Sequence, residues 1–309
     1  MRIAVQRLDG LGGTATVTDQ VKKIYDITGM PVTLVIRRYK ELFLNNPYIE
    51  DVIEVGDEYF KSVTDKYSKQ FDIYCDIRFV VGKWYFSIPD ISVDFTKWQV
   101  LYDRHPTHRD KYCKEANDID LLGLNQIQIV DMSLGLPYDT MDVKLYTDYK
   151  IDLPYRFVVV AAGADEVHKG KELTKQWYGW DTLVSLMPKR VVQVGTSYDP
   201  YISGAYDYRG KTSIPELIYV LKKADCVICI EGGIMHLAYA VGAKTIVLRG
   251  PTASDVYRYP DQVCIDSYPC KNCWGTEIDW FKKCPLSLNK VCMRSITPER
   301  VLNAYYEVD

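Results

Sequence analysis

The run Cys226-Val227-Ile228-Cys229-Ile230, followed at once by Glu231-Gly232-Gly233 and then by Ile234-Met235-His236-Leu237-Ala238-Tyr239-Ala240, leaves this chain few folds to choose from. Five apolar residues without alternation suit a strand buried on both faces, as in parallel sheets. The small-residue stretch after it reads as a helix that stops at Gly242. Glycines at the strand-to-helix turn let a ligand approach the backbone, and the first N–H groups of the helix can face an anion. His236 falls in the first helical turn, on the ligand side. The next apolar run, Thr245-Ile246-Val247-Leu248, closes on Gly250-Pro251-Thr252. Two such neighbouring strand ends suggest a nucleotide or phosphate crevice at the carboxyl edge of a parallel sheet. A strand-Gly-Gly-helix alone is equally an ordinary tight turn, and the neighbouring features tip the reading.

The same rhythm runs through the rest of the chain. Residues 3–7 read as a strand, Asp9-Gly10-Leu11-Gly12-Gly13-Thr14 as a glycine-rich loop, and Ala15 to Tyr25 as a helix ending before Gly29. Further strands are expected at 32–36, 52–55 and 71–76. The glycines lack the third member of a dinucleotide fingerprint. Arg37-Arg38-Tyr39-Lys40 is either a solvated basic surface or a grip for an anionic acceptor. The aromatic stretch 80–105, with Trp84, Tyr85, Phe86, Phe95 and Trp98, fits neither period and reads as an irregular excursion. A helix is expected from Arg109 to Leu122. His105 and His108 before it have no third metal ligand nearby and read as surface residues. Asp148 to Pro154 looks like a linker, after which Phe157-Val158-Val159-Val160-Ala161 restarts the pattern. Two tandem α/β domains are therefore expected, residues 1–150 and 151–309. The strand at 191–194 ends in Gly195-Thr196-Ser197. Helices follow from Ser213 or Ile214 to Lys223 and from about Thr297.

Composition narrows the function. With 309 residues and a net charge of −3, the chain lacks a bulk electrostatic grip on nucleic acid. No apolar run reaches the ~20 residues of a membrane span, and residues 1–9 read as a strand and not as a signal peptide, so a cytoplasmic location is expected. Five of the nine cysteines, Cys75, Cys113, Cys226, Cys229 and Cys264, read as scattered or core residues.

Several stretches together resemble glycosyltransferase family nine, the heptosyltransferases of lipopolysaccharide assembly. They are Glu231-Gly232-Gly233-Ile234-Met235-His236-Leu237-Ala238, Gly250-Pro251-Thr252, Lys175-Gln176-Trp177, and the cysteine-bearing tail through Ile296-Thr297-Pro298-Glu299-Arg300-Val301. The first strand and its glycine loop, and Asn46-Pro47-Tyr48-Ile49-Glu50-Asp51-Val52-Ile53, are similar as well. The resemblance implies two Rossmann-like α/β domains facing each other across a cleft (GT-B type). It implies an inverting glycosyltransferase that moves a sugar, such as heptose from ADP-heptose, to a hydroxyl of a glycan, lipid-linked saccharide or protein, with no catalytic metal.

Carried over by position, Lys175, Thr196, Glu231, Gly232, Gly233, His236, Gly250, Pro251 and Thr252 would hold the nucleotide sugar. Gly12, Gly13 and Thr14 would form the acceptor-side loop. The family often carries a catalytic aspartate where this chain has Gly13, and Asp9 on the same loop is the candidate base. Asp90 or Asp94 is the alternative. The missing aspartate also admits a nucleotide-sugar-binding protein without catalysis, and the base admits UDP- or GDP-linked donors. A lipid-linked acceptor would leave room for peripheral membrane association.

Cys270-x2-Cys273-x10-Cys284-x7-Cys292, within the cysteine-rich stretch 264–292, has the opening of a four-thiolate site. A structural zinc or iron is one reading. Free thiols of the family's tail are the other.

Overall fold

In the computed structural model, residues 1–78, 81–86, 122–163, 173–270, 272–274, 276, 277 and 279–308 are described. The chain divides into two compact units, with Thr147 in the first and Asp148 in the second.

The first unit contains β1 (Ile3–Arg7), α1 (Leu11–Thr28), β2 (Val32–Ile36), β3 (Ile49–Glu54), α2 (Phe60–Tyr67), β4 (Ile73–Arg78), β5 (Val81–Phe86) and α3 (Gln126–Leu134). Its sheet has the order β3-β2-β1-β4-β5. All pairs are parallel except β4 with β5. Every residue of β1 and β2 is buried, which explains their lack of alternation. Helix α1 begins at Leu11, so Gly12, Gly13 and Thr14 form its first turn instead of a loop. Glycine disfavours helix, but Gly12 and Thr14 are buried there, and packing outweighs propensity. At its other end Gly29 takes the left-handed conformation, φ 67°, and its N–H closes on the Tyr25 carbonyl.

The expected irregular excursion at 80–105 is also corrected in part. Residues 81–86 form a strand antiparallel to β4, since aromatic residues suit a pleated surface. Phe95, Trp98, Asp90, Asp94, His105, His108 and the helix expected from Arg109 lie outside the described residues, save Leu122.

The second unit contains β6 (Phe157–Ala161), α4 (Trp180–Leu186), β7 (Arg190–Gln193), β8 (Tyr206–Asp207), α5 (Ile214–Lys223), β9 (Cys226–Ile230), α6 (Gly233–Ala240), β10 (Thr245–Arg249), β11 (Gln262–Asp266), α7 (Val291–Arg294) and α8 (Pro298–Val308). Its sheet is parallel throughout, in the order β11-β10-β9-β6-β7-β8. The strand order reverses between β6 and β9, where open α/β sheets leave a crevice. Cys226 and Cys229 are fully buried in β9, as core residues. Helix α5 starts with a capping box between Ser213 and Glu216, with Pro215 in its first turn. The core beneath joins Val158, Ile228, Ile246 and Leu248 to Trp177, Trp180, Met293 and Tyr305. Among the described residues no helix is long and apolar enough to cross a membrane.

Candidate functional site

The carboxyl edge of the second sheet gathers most of the expected residues. Glu231 follows β9, Gly232 caps α6, and Gly233 is the first residue of that helix. Gly232 has φ 165° and ψ −163°, extended backbone, and a β-carbon there would meet nothing within 4 Å. The turn therefore presents bare backbone to open space at the start of a helix. No side chain caps α6, so its first N–H groups stay available to an anion.

Lys175 reaches this turn from a loop anchored on both sides. Thr174 binds the Phe281 carbonyl through its N–H (3.0 Å) and its hydroxyl (3.1 Å). The buried Trp177 indole donates to the Ile296 carbonyl at 2.8 Å. Held between these, Lys175 places its Nζ 2.5 Å from Glu231 Oε2 and 5.9 Å from the centre of the Trp280 ring.

Burial opposes ionisation of the Glu231 carboxyl. The Lys175 ammonium, with help from His236 and Thr252, overcomes it and holds the carboxyl below its ordinary range. The pair cancels in charge, so two residues each expected to hold the nucleotide sugar are bound to one another.

His236 is buried in α6, with Nδ1 2.7 Å from the Tyr259 hydroxyl. The Tyr259 ring stacks on Tyr239 at 3.9 Å. One ring nitrogen is thus fixed by the phenol, which sets the orientation of the other. Thr252, after β10, is 1 % exposed. Its hydroxyl has no well-formed hydrogen bond among the described residues, yet it lies close enough to Glu231 to favour the carboxylate.

Other expected residues are engaged within the protein. Thr196 donates its N–H and hydroxyl to Asp199, at 2.9 and 3.0 Å. The Asp199 carboxylate fills the space where Gly163 and Gly195 would carry side chains. Gly250 has a packing reason for being glycine: a β-carbon there would stand 2.5 Å from Met293 Sδ and 3.2 Å from Cys292 Sγ. Its carbonyl and that of Pro251 accept from the Asn272 and Trp274 N–H groups, both at 2.9 Å, pinning the cysteine loop beneath the site. Tyr259, Trp280 and Asp199 belong to no motif and were not anticipated. The glycines Gly163 and Gly195, each shortly after a strand, are the sequence feature that Asp199 explains.

Cys270, Cys273, Cys284 and Cys292 line one small cavity with Thr174, Pro251 and Lys290. Burial, reinforced by the other three cysteines, pushes the Cys273 thiol up to about 12. At Cys284 burial is outweighed by the backbone N–H groups of Leu288, Lys290, Leu286 and Ser287, which hold its thiol low. The donor set is that of a thiophilic ion. Among the described residues, however, no group of three or more such side chains is drawn together as a metal shell.

In the first unit, Asp9 stands between β1 and α1, its Oδ2 2.6 Å from Arg7 Nε. Arg7 is 2 % exposed and Asp9 23 %, so the carboxylate is held by a buried cation while keeping an open side. The Thr14 hydroxyl donates to the Asp9 carbonyl at 3.0 Å.

Residues 203–273, which span Glu231, His236 and Thr252, match the profile of glycosyltransferase family 9 (heptosyltransferase). The matched segment lies in the second unit. No curated protein sequence matches the chain.

Solved structures extend the likeness in fold over the whole length. TibC, an iron-containing dodecameric glycosyltransferase from enterotoxigenic E. coli H10407, is 15% identical with a TM-score of 0.68, over 99% of this chain and 77% of that one. TibC has also been solved as a heptosyltransferase with ADP-D-beta-D-heptose. The family 9 glycosyl transferase from Veillonella parvula DSM 2008 is 14% identical with a TM-score of 0.65, over 99% and 96%. E. coli ADP-heptose lps heptosyltransferase II is 12% identical with a TM-score of 0.63, over 100% and 98%. The segment that matches the family profile thus sits on the two-sheet α/β fold that the resemblance implied.

Proposed function

We propose that this protein is an inverting glycosyltransferase whose donor is a nucleoside diphosphate sugar, ADP-heptose, bound at the carboxyl edge of the second sheet. The observation that carries the reading is the meeting of Lys175, Glu231, His236 and Thr252 at the open turn before α6, within and beside the family segment. TibC's complex with ADP-D-beta-D-heptose supports the choice of donor.

In the transfer, the acceptor hydroxyl oxygen bonds to the anomeric carbon from the face opposite the diphosphate. The carbon–oxygen bond to the diphosphate breaks with its electron pair, and the hydroxyl proton passes to a base. Negative charge grows on the departing diphosphate, where the free amides of the Gly232-Gly233 turn and the Lys175 ammonium would receive it. Lys175 would then exchange Glu231 for phosphate, and Glu231 would accept from donor hydroxyls. Asp9 is the proposed base, its carboxylate oriented by Arg7. The acceptor would be a hydroxyl of a glycan, lipid-linked saccharide or protein, and the location cytoplasmic.

The four cysteines would hold one structural iron or zinc, supported by their shared cavity and by iron in TibC. Such an ion would staple the loop that Gly250 and Pro251 pin under the site, with no part in the transfer.

Calorimetry with ADP, ADP-heptose, UDP and GDP tests the reading. Selective binding of ADP and ADP-heptose is expected. Preference for UDP or GDP would replace the donor, and binding of none would overturn the site. Glycine at position 13 favours a second reading, a binding protein without catalysis. Donor binding without transfer to any acceptor, together with an inert Asp9→Asn change, would establish it.

A further inference from the structure

The carboxyl edge of the first sheet holds a positive charge that its surroundings do not match. Strands β2, β1 and β4 are adjacent, and Arg7 stands in register with Ile36 and Ile77. One residue further on come Leu8 and Arg37, just past the ends of β1 and β2, and Arg78, the last residue of β4. By the two-residue period they share the face that carries Ala4, Val35 and Tyr74. Phe60, the first residue of α2, packs over that face. Both guanidiniums turn toward its ring, Arg37 Cζ at 5.9 Å from the ring centre and Arg78 Cζ at 5.6 Å.

Their charges are not equally compensated. Arg78 binds the fully buried Asp76 carboxylate through Nε at 2.9 Å and Nη2 at 2.6 Å. Gln6 and Thr64 also bind that carboxylate, at 2.7 and 2.8 Å. The neighbouring Arg38 pairs with Asp57. Arg37 pairs with no carboxylate among the described residues, and its Nε is buried without a hydrogen-bond acceptor. A guanidinium stays charged at any physiological pH, and its planar fork matches an oxyanion.

We infer that Arg37, with Arg78 beside it and Phe60 as the supporting ring, binds an oxyanion, the phosphate or carboxylate group of a small molecule or sugar. The site lies in the first unit and does not depend on the donor reading for the second.

The test is calorimetric titration of the full chain with inorganic phosphate, glucose 6-phosphate and glucuronate. Each titration is repeated with ADP present to occupy the second unit's turn. At least one probe should bind, more weakly as salt is raised. Arg37→Gln should weaken binding tenfold or more, and Arg37→Lys should give an intermediate loss. Thermal midpoint and ADP affinity serve as folding controls, and Arg37→Lys decides the matter if Arg37→Gln misfolds. Glucose 6-phosphate or glucuronate binding tighter than phosphate would mark an anionic sugar, whereas equal binding would mark the free oxyanion. Failure of every probe to bind, or unchanged affinity in a folded Arg37 variant, overturns the site. Failure of ADP alone would count against the donor reading and leave this result standing.

Discussion

A β-carbon placed on Gly13 would stand 2.8 Å from the Asp9 Cβ and 2.9 Å from Asp9 Oδ2. The Asp9 side chain therefore occupies the room into which a side chain at position 13 would project. An acid at 13 and the present placement of Asp9 exclude each other, and Asp9 brings a carboxylate to the same place from the preceding loop. Gly13→Asp alone should destabilise the first unit by about 1–3 kcal/mol through overpacking. The Asp9→Gly/Gly13→Asp double variant should recover most of that in urea unfolding. If Asp9 is the base, Asp9→Asn should lower kcat by roughly 10²–10⁴ with donor affinity retained.

Lys175 and Glu231 form a mostly buried pair, 18 % and 5 % exposed. Lys175→Met removes one partner and leaves a carboxylate in a poorly hydrated place. A loss of about 3–5 kcal/mol is expected in denaturant unfolding. Lys175→Met/Glu231→Gln should restore most of that stability without restoring donor binding. Equal instability of the single and double variants would show that the pair does not control the fold here.

The same carboxyl gives a pH dependence. Its folded value lies below the ordinary one, so its contribution to stability is fully present above about pH 4.3, the usual glutamate value. That contribution is lost as pH falls through the lower, folded value. Glu231→Gln should flatten the acid limb of a stability profile below that point and leave the slope near pH 7 unchanged.

Tyr259 acts on the site through His236. Tyr259→Phe keeps the ring stacked on Tyr239 but removes the hydroxyl 2.7 Å from His236 Nδ1. A stability cost of about 0.5–1.5 kcal/mol is expected. The histidine ring signals in NMR should shift, and ADP affinity should fall less than in His236→Ala. Unchanged ring signals would detach Tyr259 from the site.

Elemental analysis of the purified protein should find close to one iron or zinc per chain. Cys273→Ser should lose it and loosen the loop against limited proteolysis. Absence of both metals would return the four cysteines to the status of free thiols.

The parts of this fold legible in the sequence are those governed by local pattern. Unbroken apolar runs such as Cys226–Ile230 announced parallel strands, and the start of α5 at Ser213 or Ile214 was legible too. The start of α1 was not legible, because glycines at 12 and 13 argue against helix and the packing that overrides them is long-range. Strand β5 was hidden in an aromatic stretch whose period only its pairing with β4 makes plain.

At the site, Glu231, His236, Lys175 and Thr252 all stood out by motif, but the way they pair did not. Lys175 and Glu231 lie 56 residues apart and each is expected to hold the nucleotide sugar, so nothing local says that they bind each other. Gly250 was read as a ligand contact, while its lack of a side chain serves Met293. Tyr259 reaches His236 from a segment with no motif at all.

The mutual cancellation of Lys175 and Glu231 bears on how a donor would be chosen. A neutral pair casts little field into solvent, so the turn before α6 does not draw anions in from a distance. Encounter rates there should be indifferent to ionic strength, and any preference among nucleotides must be exercised after contact, when a ligand either supplies enough negative charge to separate the two side chains or departs.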